Sequence, residues 1–258
     1  WYMGPMYRHE RPQKGRYRQF SQLGVEAFGM AGMDIEVEIL LLSSQLWQQL
    51  GLTEYLKLEI NNLGSSADRA NYGKALHAYL SPLRAQLDED SQRRLDSNVL
   101  RILDSKIPDT RALLDAAPRL TEFLSEASQL QFADLRKVLD QAGIDHVVNP
   151  ALVRGLDYYN GLVFEWTTNK LGAQATVCAG GRYDGLSQQL GGSSTPAVGF
   201  GMGLERLLLL LEETGKFPDG LGQKVDVYLV VVGGVALQTQ ALLVGVALRR
   251  ALPGLKIF

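Results

Sequence analysis

The chain has 258 residues, 46% of them hydrophobic and 21% charged, with a formal net charge of -2. That balance belongs to globular proteins and excludes collagenous or low-complexity chains; the near-zero charge excludes a surface that coats nucleic acid throughout. Cys178 is the single cysteine, so neither an intramolecular disulfide nor a cysteine-based zinc site can form, and a reducing, cytoplasmic setting is expected.

The length allows one or two domains with a full core. Nothing before Tyr7 has the charged and then apolar layout of a leader peptide, so the start at Trp1 looks cut. Met3 to Tyr7 and the stretch 20–28 read as two strands around the basic stretch 9–18. Arg8, Arg11, Lys14, Arg16 and Arg18 crowd that stretch, opposed only by Glu10. Ile35, Ile39, Leu42, Leu46 and Leu50 then recur at helical spacing, with Gly51 as the stop. Leu56, Leu58 and Ile60 alternate with Lys57 and Glu59 as a strand does.

Residues 65–146 change texture. Charge runs and helical spacing mark a separate helical module, with Asp109 and Thr121 as candidate caps and Pro82, Pro108 and Pro118 as breakers. Strand signals return at 153–159, 162–168 and 175–179, with turns expected at Asn160-Gly161 and Gly180-Gly181. The stretch 196–203 reads as a glycine-rich strand leading into a helix over 204–213, and 215–224 as a linker. After it, 225–232 reads as a buried strand and 237–251 as a helix, opening a small α/β domain. The end at Phe258, inside what reads as a further strand, looks cut too. No apolar run approaches the roughly 18 residues of a membrane span.

Several signals carry little. Gly199-Phe-Gly-Met-Gly203 lacks the spacing of a dinucleotide fingerprint, and there is no phosphate-binding G-x-x-x-x-G-K-[ST]. His9, His77 and His146 are too scattered to propose as metal ligands; the last two read as solvated residues of the module. The basic stretch, taken alone, could be a solvated hairpin. Arg8, Glu10 and Phe20 can nevertheless cradle a nucleotide, as cation for phosphate, acceptor for an exocyclic amine and ring for the base. In the block Leu152-Val-Arg-Gly-Leu-Asp-Tyr-Tyr159, Arg154 and Asp157 are unusual in a stretch that otherwise reads as buried, because charge there needs a partner.

Tyr7-Arg-His-Glu-Arg-Pro-Gln-Lys-Gly-Arg-Tyr-Arg-Gln-Phe20, continued by Gln22-Leu-Gly-Val-Glu26, resembles motif 2 of class II aminoacyl-tRNA synthetases in its histidyl form. Leu152 to Tyr159 and Thr176-Val-Cys-Ala-Gly-Gly-Arg-Tyr-Asp-Gly185 resemble the two histidine-specific signatures of that family. Pro196-Ala-Val-Gly-Phe-Gly-Met-Gly-Leu-Glu-Arg-Leu207 resembles motif 3. The four blocks stand in the family's order. Motif 1, which supplies much of the family's dimer interface, and the segment that helps hold the substrate's amino group should lie upstream of Trp1.

The resemblance implies an α+β fold: an antiparallel sheet flanked by helices, with a helical insertion module and the start of a small α/β domain of the anticodon-binding type. Expected boundaries are 1–64 and 147–214 for the catalytic core, 65–146 for the module, 215–224 for the linker and 225–258 for the C-terminal piece. The implied reaction is ATP-dependent activation of histidine and its transfer to the 3′ end of tRNA(His), in a cytoplasmic homodimer. Magnesium would arrive with ATP. Arg8 and Arg154 would be catalytic at the α-phosphate, and Glu10, Arg16, Phe20 and Arg206 would hold the rest of ATP. Gln22, Glu26, Arg154, Tyr158, Tyr159 and Tyr183 would hold histidine, Glu26 and Tyr159 reading the two imidazole nitrogens and Gln22 and Tyr183 lining the pocket, while Arg11 and Gln13 would touch tRNA. The alternative is the family's non-catalytic, histidine-binding paralogue that regulates ATP phosphoribosyltransferase; fold does not separate the two.

Overall fold

The computed structural model describes residues 1–9, 17–105, 107–153, 158–172, 175–218 and 225–257. They divide into two units, Trp1–Lys216 and Phe217–Phe258. The first is built on a seven-stranded sheet in the order β1-β2-β7-β6-β5-β3-β4. Its strands are β1 (Tyr2–Tyr7), β2 (Gln19–Phe28), β3 (Lys57–Asn62), β4 (His146–Val148), β5 (Asn160–Thr167), β6 (Thr176–Arg182) and β7 (Ala197–Gly203). All neighbours are antiparallel except the edge pair β3 and β4, which is parallel.

Alternation along the strands gives the sheet two unlike faces. Phe164, Trp166, Cys178, Val198, Phe200 and Met202 point to one side and form a core with α1 (Met33–Gln49) and α7 (Leu204–Glu213). The opposite face is sparse. Register there aligns Glu26, Gly199, Gly181 and Val163 in one row, and Gly24, Gly201, Ala179 and Glu165 in the next. Glycines replace side chains over the middle strands, which leaves a floor of nearly bare backbone.

Helix α1 packs Ile35, Ile39, Leu46 and Leu50 of its apolar spacing against the core, Leu42 excepted, and buries polar residues beside them. Glu36, Val37, Ile39, Leu40, Ser43 and Trp47 are inside, whereas Leu42 is exposed. The buried stripe carries a carboxylate and a hydroxyl because each has a partner in the sheet: Arg182 donates to Glu36, and the Trp166 indole donates to Ser43 Oγ at 2.9 Å. Gly51 follows the helix at φ 66°, the left-handed position glycine takes most easily.

Between β3 and β4 run α2 (Ser66–Leu80), α3 (Glu89–Ser97), α4 (Pro108–Asp115) and α5 (Glu126–Gln141). The caps are Ser65, Asp88 and Ser125. Asp109 instead lies inside the first turn of α4, because Pro108 takes the N-terminal helical position itself, and Thr121 lies inside a short 3-10 turn that follows Arg119. Helices α2 and α3 share a second core with Val163, Tyr159 and Tyr183 of the sheet's other face. Helix α5 does not join it. Leu135 and Leu139 pack into the first core, so the stretch that reads as one module by charge texture divides between two cores. His146 also belongs to the sheet: its side chain is 4% exposed, with Nδ1 3.1 Å from the Ile144 carbonyl, and it is not solvated.

Three other sequence expectations change. Gly180 and Gly181 lie inside β6 and Asn160 and Gly161 inside β5, so neither pair is a hairpin turn. Val153, Tyr158 and Tyr159 are not in a strand, and 154–157 fall outside the described residues. The expected buried strand at 225–232 reduces to one bridge, Val227 to Ile257, with Val230 and Val232 exposed. A strand buries its side chains only when a sheet surrounds it, and this unit offers it a single bridge and α8 (Val235–Ala251).

Candidate active site

β1, β2 and β7, with Tyr183 just after β6, line a cavity of about 660 Å³ above the glycines of β7. Its size suits a small molecule. Gln22, Glu26, Tyr158, Tyr159 and Tyr183, all five of the described residues expected to hold histidine, line it. The three tyrosines form one aromatic wall. Tyr158 and Tyr159 have ring centroids 4.6 Å apart, and Tyr183 meets them edge-on at 5.7 and 6.1 Å.

Glu26 and Tyr183 are hydrogen-bonded to each other, the phenol donating to Oε2. The bond passes over β7 at Gly199, where any side chain would intrude. Burial pushes the Glu26 carboxyl above its usual range, partly offset by the bond from Tyr183. Burial and the neighbouring carboxylate push the Tyr183 phenol well up, so it remains a donor. The pair presents a carboxylate and a hydroxyl beside the aromatic wall.

Tyr2 completes the cavity and carries no signal in the sequence beyond strand alternation. Its ring lies across Gly24, and its hydroxyl accepts from Gln22 Nε2 at 3.2 Å. A side chain at position 24 would displace it. Phe28, Leu186 and Leu190 form an apolar rim at the other end.

Further along β1 and β2 lie the residues expected to hold a nucleotide. Arg8 follows β1; its Nε donates to the Tyr17 carbonyl at 2.8 Å, and its guanidinium stands 4.3 Å from the Phe20 ring centroid. The cation thus covers one face of the ring. Arg206, on the first turn of α7, donates to the Thr176 carbonyl at 2.7 Å at the start of β6. Glu205 beside it accepts the Ser21 N–H at 2.7 Å, which ties α7 to β2 between Phe20 and Gln22. None of Arg8, Phe20 and Arg206 lines the large cavity. Glu10, Arg11, Gln13, Arg16 and Arg154 lie outside the described residues. Among the described residues, no three of His, Cys, Asp and Glu gather as a metal site, and no helix is long and apolar enough to cross a membrane.

A family model described as histidyl-tRNA synthetase matches residues 1–207. The chain belongs to the histidyl-tRNA synthetase family. Among solved structures, the apo histidyl-tRNA synthetase of S. aureus is similar at 36% identity and a TM-score of 0.72, over 99% of this chain and 60% of that one. An ATP phosphoribosyltransferase regulatory subunit/histidyl-tRNA synthetase from Bacillus halodurans shares the fold at 23% identity and a TM-score of 0.57, over 99% and 66% of the two chains. A histidyl-tRNA synthetase from Nostoc shares it at 20% identity and 0.56, over 99% and 61%. The chain therefore spans under two thirds of the length of these relatives. Its sheet with flanking helices is the α+β fold of class II synthetases.

Proposed function

We propose that the chain carries the histidine- and ATP-binding core of a histidine–tRNA ligase. One observation carries the reading: the hydrogen-bonded Glu26 and Tyr183 pair, set in an aromatic cavity. An imidazole has two ring nitrogens, and a carboxylate and a phenol at fixed spacing can satisfy both. A site built on such bonds rejects apolar side chains of similar size by about ten-thousandfold, because its own buried groups would otherwise stay unpaired. Tyr159 and Tyr158 stack beside the ring, and Gln22, fixed by Tyr2, lines the pocket beside it.

The reaction joins the histidine carboxylate to the α-phosphate of ATP and releases pyrophosphate. The carboxylate is itself the nucleophile, so the protein contributes orientation and charge at the phosphorus rather than a base. Arg8 and Arg154 take the α-phosphate from two sides; each such donor is worth roughly 3–4 kcal/mol. Arg16 holds the distal phosphates with the magnesium that enters with ATP. Glu10 accepts the adenine amine, and Phe20 and Arg206 sandwich the base. Transfer to the terminal ribose of tRNA(His) follows, with Arg11 and Gln13 at the acceptor end. In this reading 65–146 forms the insertion module, 215–224 a linker and 225–258 part of an anticodon-binding domain. The assembled protein is a homodimer.

The regulatory paralogue has no use for an α-phosphate clamp, and Arg8, Arg154 and Arg206 are all present here. The test is histidine-dependent ATP–pyrophosphate exchange by the full-length gene product, wild type against Arg154→Ala. Exchange that collapses in the variant supports the ligase; histidine binding without exchange in the wild type assigns the paralogue.

A further inference from the structure

On the side of the sheet away from the cavity, one buried cation at the end of β6 reaches the loop that follows β2. Arg182 ends β6, next to Tyr183, and strand alternation sends its side chain down among the helices. That side chain is 4% exposed, and the Glu36 side chain it meets is 3% exposed. Its guanidinium has four acceptors. Nε donates to Glu36 Oε1 at 2.5 Å, Nη1 to Asp184 Oδ1 at 3.0 Å and to the Met30 carbonyl at 3.2 Å, and Nη2 to the Gly32 carbonyl at 2.9 Å. Met30 and Gly32 belong to the loop that leaves β2 just after Glu26.

Asp184 extends the connection. Its Oδ1 also accepts the Ala197 N–H at 2.9 Å, its Oδ2 accepts from Asn160 Nδ2 at 3.0 Å, and its own N–H donates to Asn160 Oδ1 at 2.9 Å. The Tyr183 N–H donates to the Ala197 carbonyl at 2.8 Å. The backbone on both sides of Tyr183 is therefore fixed, and its phenol can reach Glu26 only from that setting. Glu26 and Tyr183 join β2 to the end of β6 above β7, and Arg182 joins the end of β6 to the loop after β2 below it.

A buried ion pair is a poor net stabiliser, because desolvation offsets its attraction. A planar fork with four fixed acceptors does constrain position. We infer that Arg182, with Glu36 and Asp184, is a positioning residue that sets the spacing of Glu26 and Tyr183 and so the affinity for histidine. This rests on the histidine reading of the cavity. It adds a residue that touches no substrate and acts through the sheet.

The test uses the full-length gene product and two network variants. Glu36→Gln/Arg182→Met removes the buried ion pair together, leaving Asp184 and the Met30 and Gly32 carbonyls without the guanidinium, while Arg182→Lys keeps the charge and loses the fork. Each is compared with Tyr183→Phe for histidine affinity by calorimetry, KM for ATP and melting temperature. Histidine affinity should fall about tenfold or more in every variant, the scale of losing one charge-assisted bond, with KM for ATP within about twofold. Adding Tyr183→Phe to either network variant should weaken histidine little further, because both act through one bond. Unchanged histidine affinity in a folded network variant overturns the inference, as does a combined loss equal to the product of the separate ones. If the double variant does not fold, Arg182→Lys decides by the same criteria. If Tyr183→Phe alone leaves histidine affinity intact, the histidine reading fails, and this inference with it.

Discussion

Two glycines on β7 face the cavity, and an added methyl at each has a different physical cost. At Gly199 a Cβ would run into Glu26 Oε2 and the Val25 carbonyl oxygen and stand 2.6 Å from Glu26 Cδ, whereas real Cβ contacts under 3.0 Å essentially never occur. The carbonyl belongs to the paired strand and cannot step aside. Gly199→Ala must therefore part β2 from β7 and push the carboxylate off Tyr183. Overpacking of this kind costs about 1–3 kcal/mol of stability, roughly 2–4 °C in Tm for each kcal/mol at this size. The lost charge-assisted bond removes a further 1.5–3 kcal/mol or so from histidine binding, about 10- to 150-fold. At Gly201 the nearest atoms are the amide end of Gln22, with Cδ at 2.9 Å, and that side chain can swing away. Its neutral bond to Tyr2 is worth about 0.5–1.5 kcal/mol, so Gly201→Ala should weaken histidine by roughly tenfold at most. Calorimetric titration with histidine, beside thermal melts, checks both variants. Equal affinity in Gly199→Ala and wild type, or a larger loss in Gly201→Ala, would refute the reasoning.

Three other perturbations have expected outcomes. The raised Glu26 carboxyl should make histidine affinity fall on acidification at a pH above the ordinary glutamate value of 4.5; Glu26→Gln should bind weakly with no such acid limb in a titration series. The same shift fixes the sign for stability: protonated Glu26 favours the fold, and that contribution is lost as pH rises through the raised value. Arg8→Ala should cut pyrophosphate exchange about a hundred- to thousandfold while histidine affinity stays unchanged, since Arg8 does not line the cavity. Asp88 accepts from the hydroxyls of Ser91, Thr110 and Ser105 and from the N–H groups of Asp90 and Ser91, bonds that hold its carboxyl well below the usual range. Asp88→Ala should cost about 1–2 kcal/mol by thermal melts above pH 4, and the gap to wild type should narrow as pH falls through the native value.

Much of the sheet was legible in the residues. The helix at 204–213 and the strand before it have the bounds that spacing and glycines suggest, and the hairpin around the basic stretch is where its apolar pieces place it. The five described residues expected to hold histidine were named through a resemblance, and they line one cavity. What stayed hidden depends on partners distant in sequence. Glu36 breaks the apolar stripe of α1 because Arg182 lies 146 residues away. Gly180 and Gly181 look like a turn because local chemistry cannot reveal that neighbouring strands cross there. Helix α5 has the charge texture of the module and packs on the sheet, since texture reports the solvent side of a helix and not which core receives the other side. Tyr2 reads as one more aromatic on an edge strand until Gly24 and Gln22 are seen beside it.

The central claim is that the cavity reads an imidazole in order to activate its carboxylate. The measurement that tests it most directly is ATP–pyrophosphate exchange by the full-length gene product with each of the twenty amino acids in turn. Exchange is expected with histidine alone, and it is lost in Glu26→Gln. Exchange driven by a different amino acid, or by histidine equally well in Glu26→Gln, would contradict it.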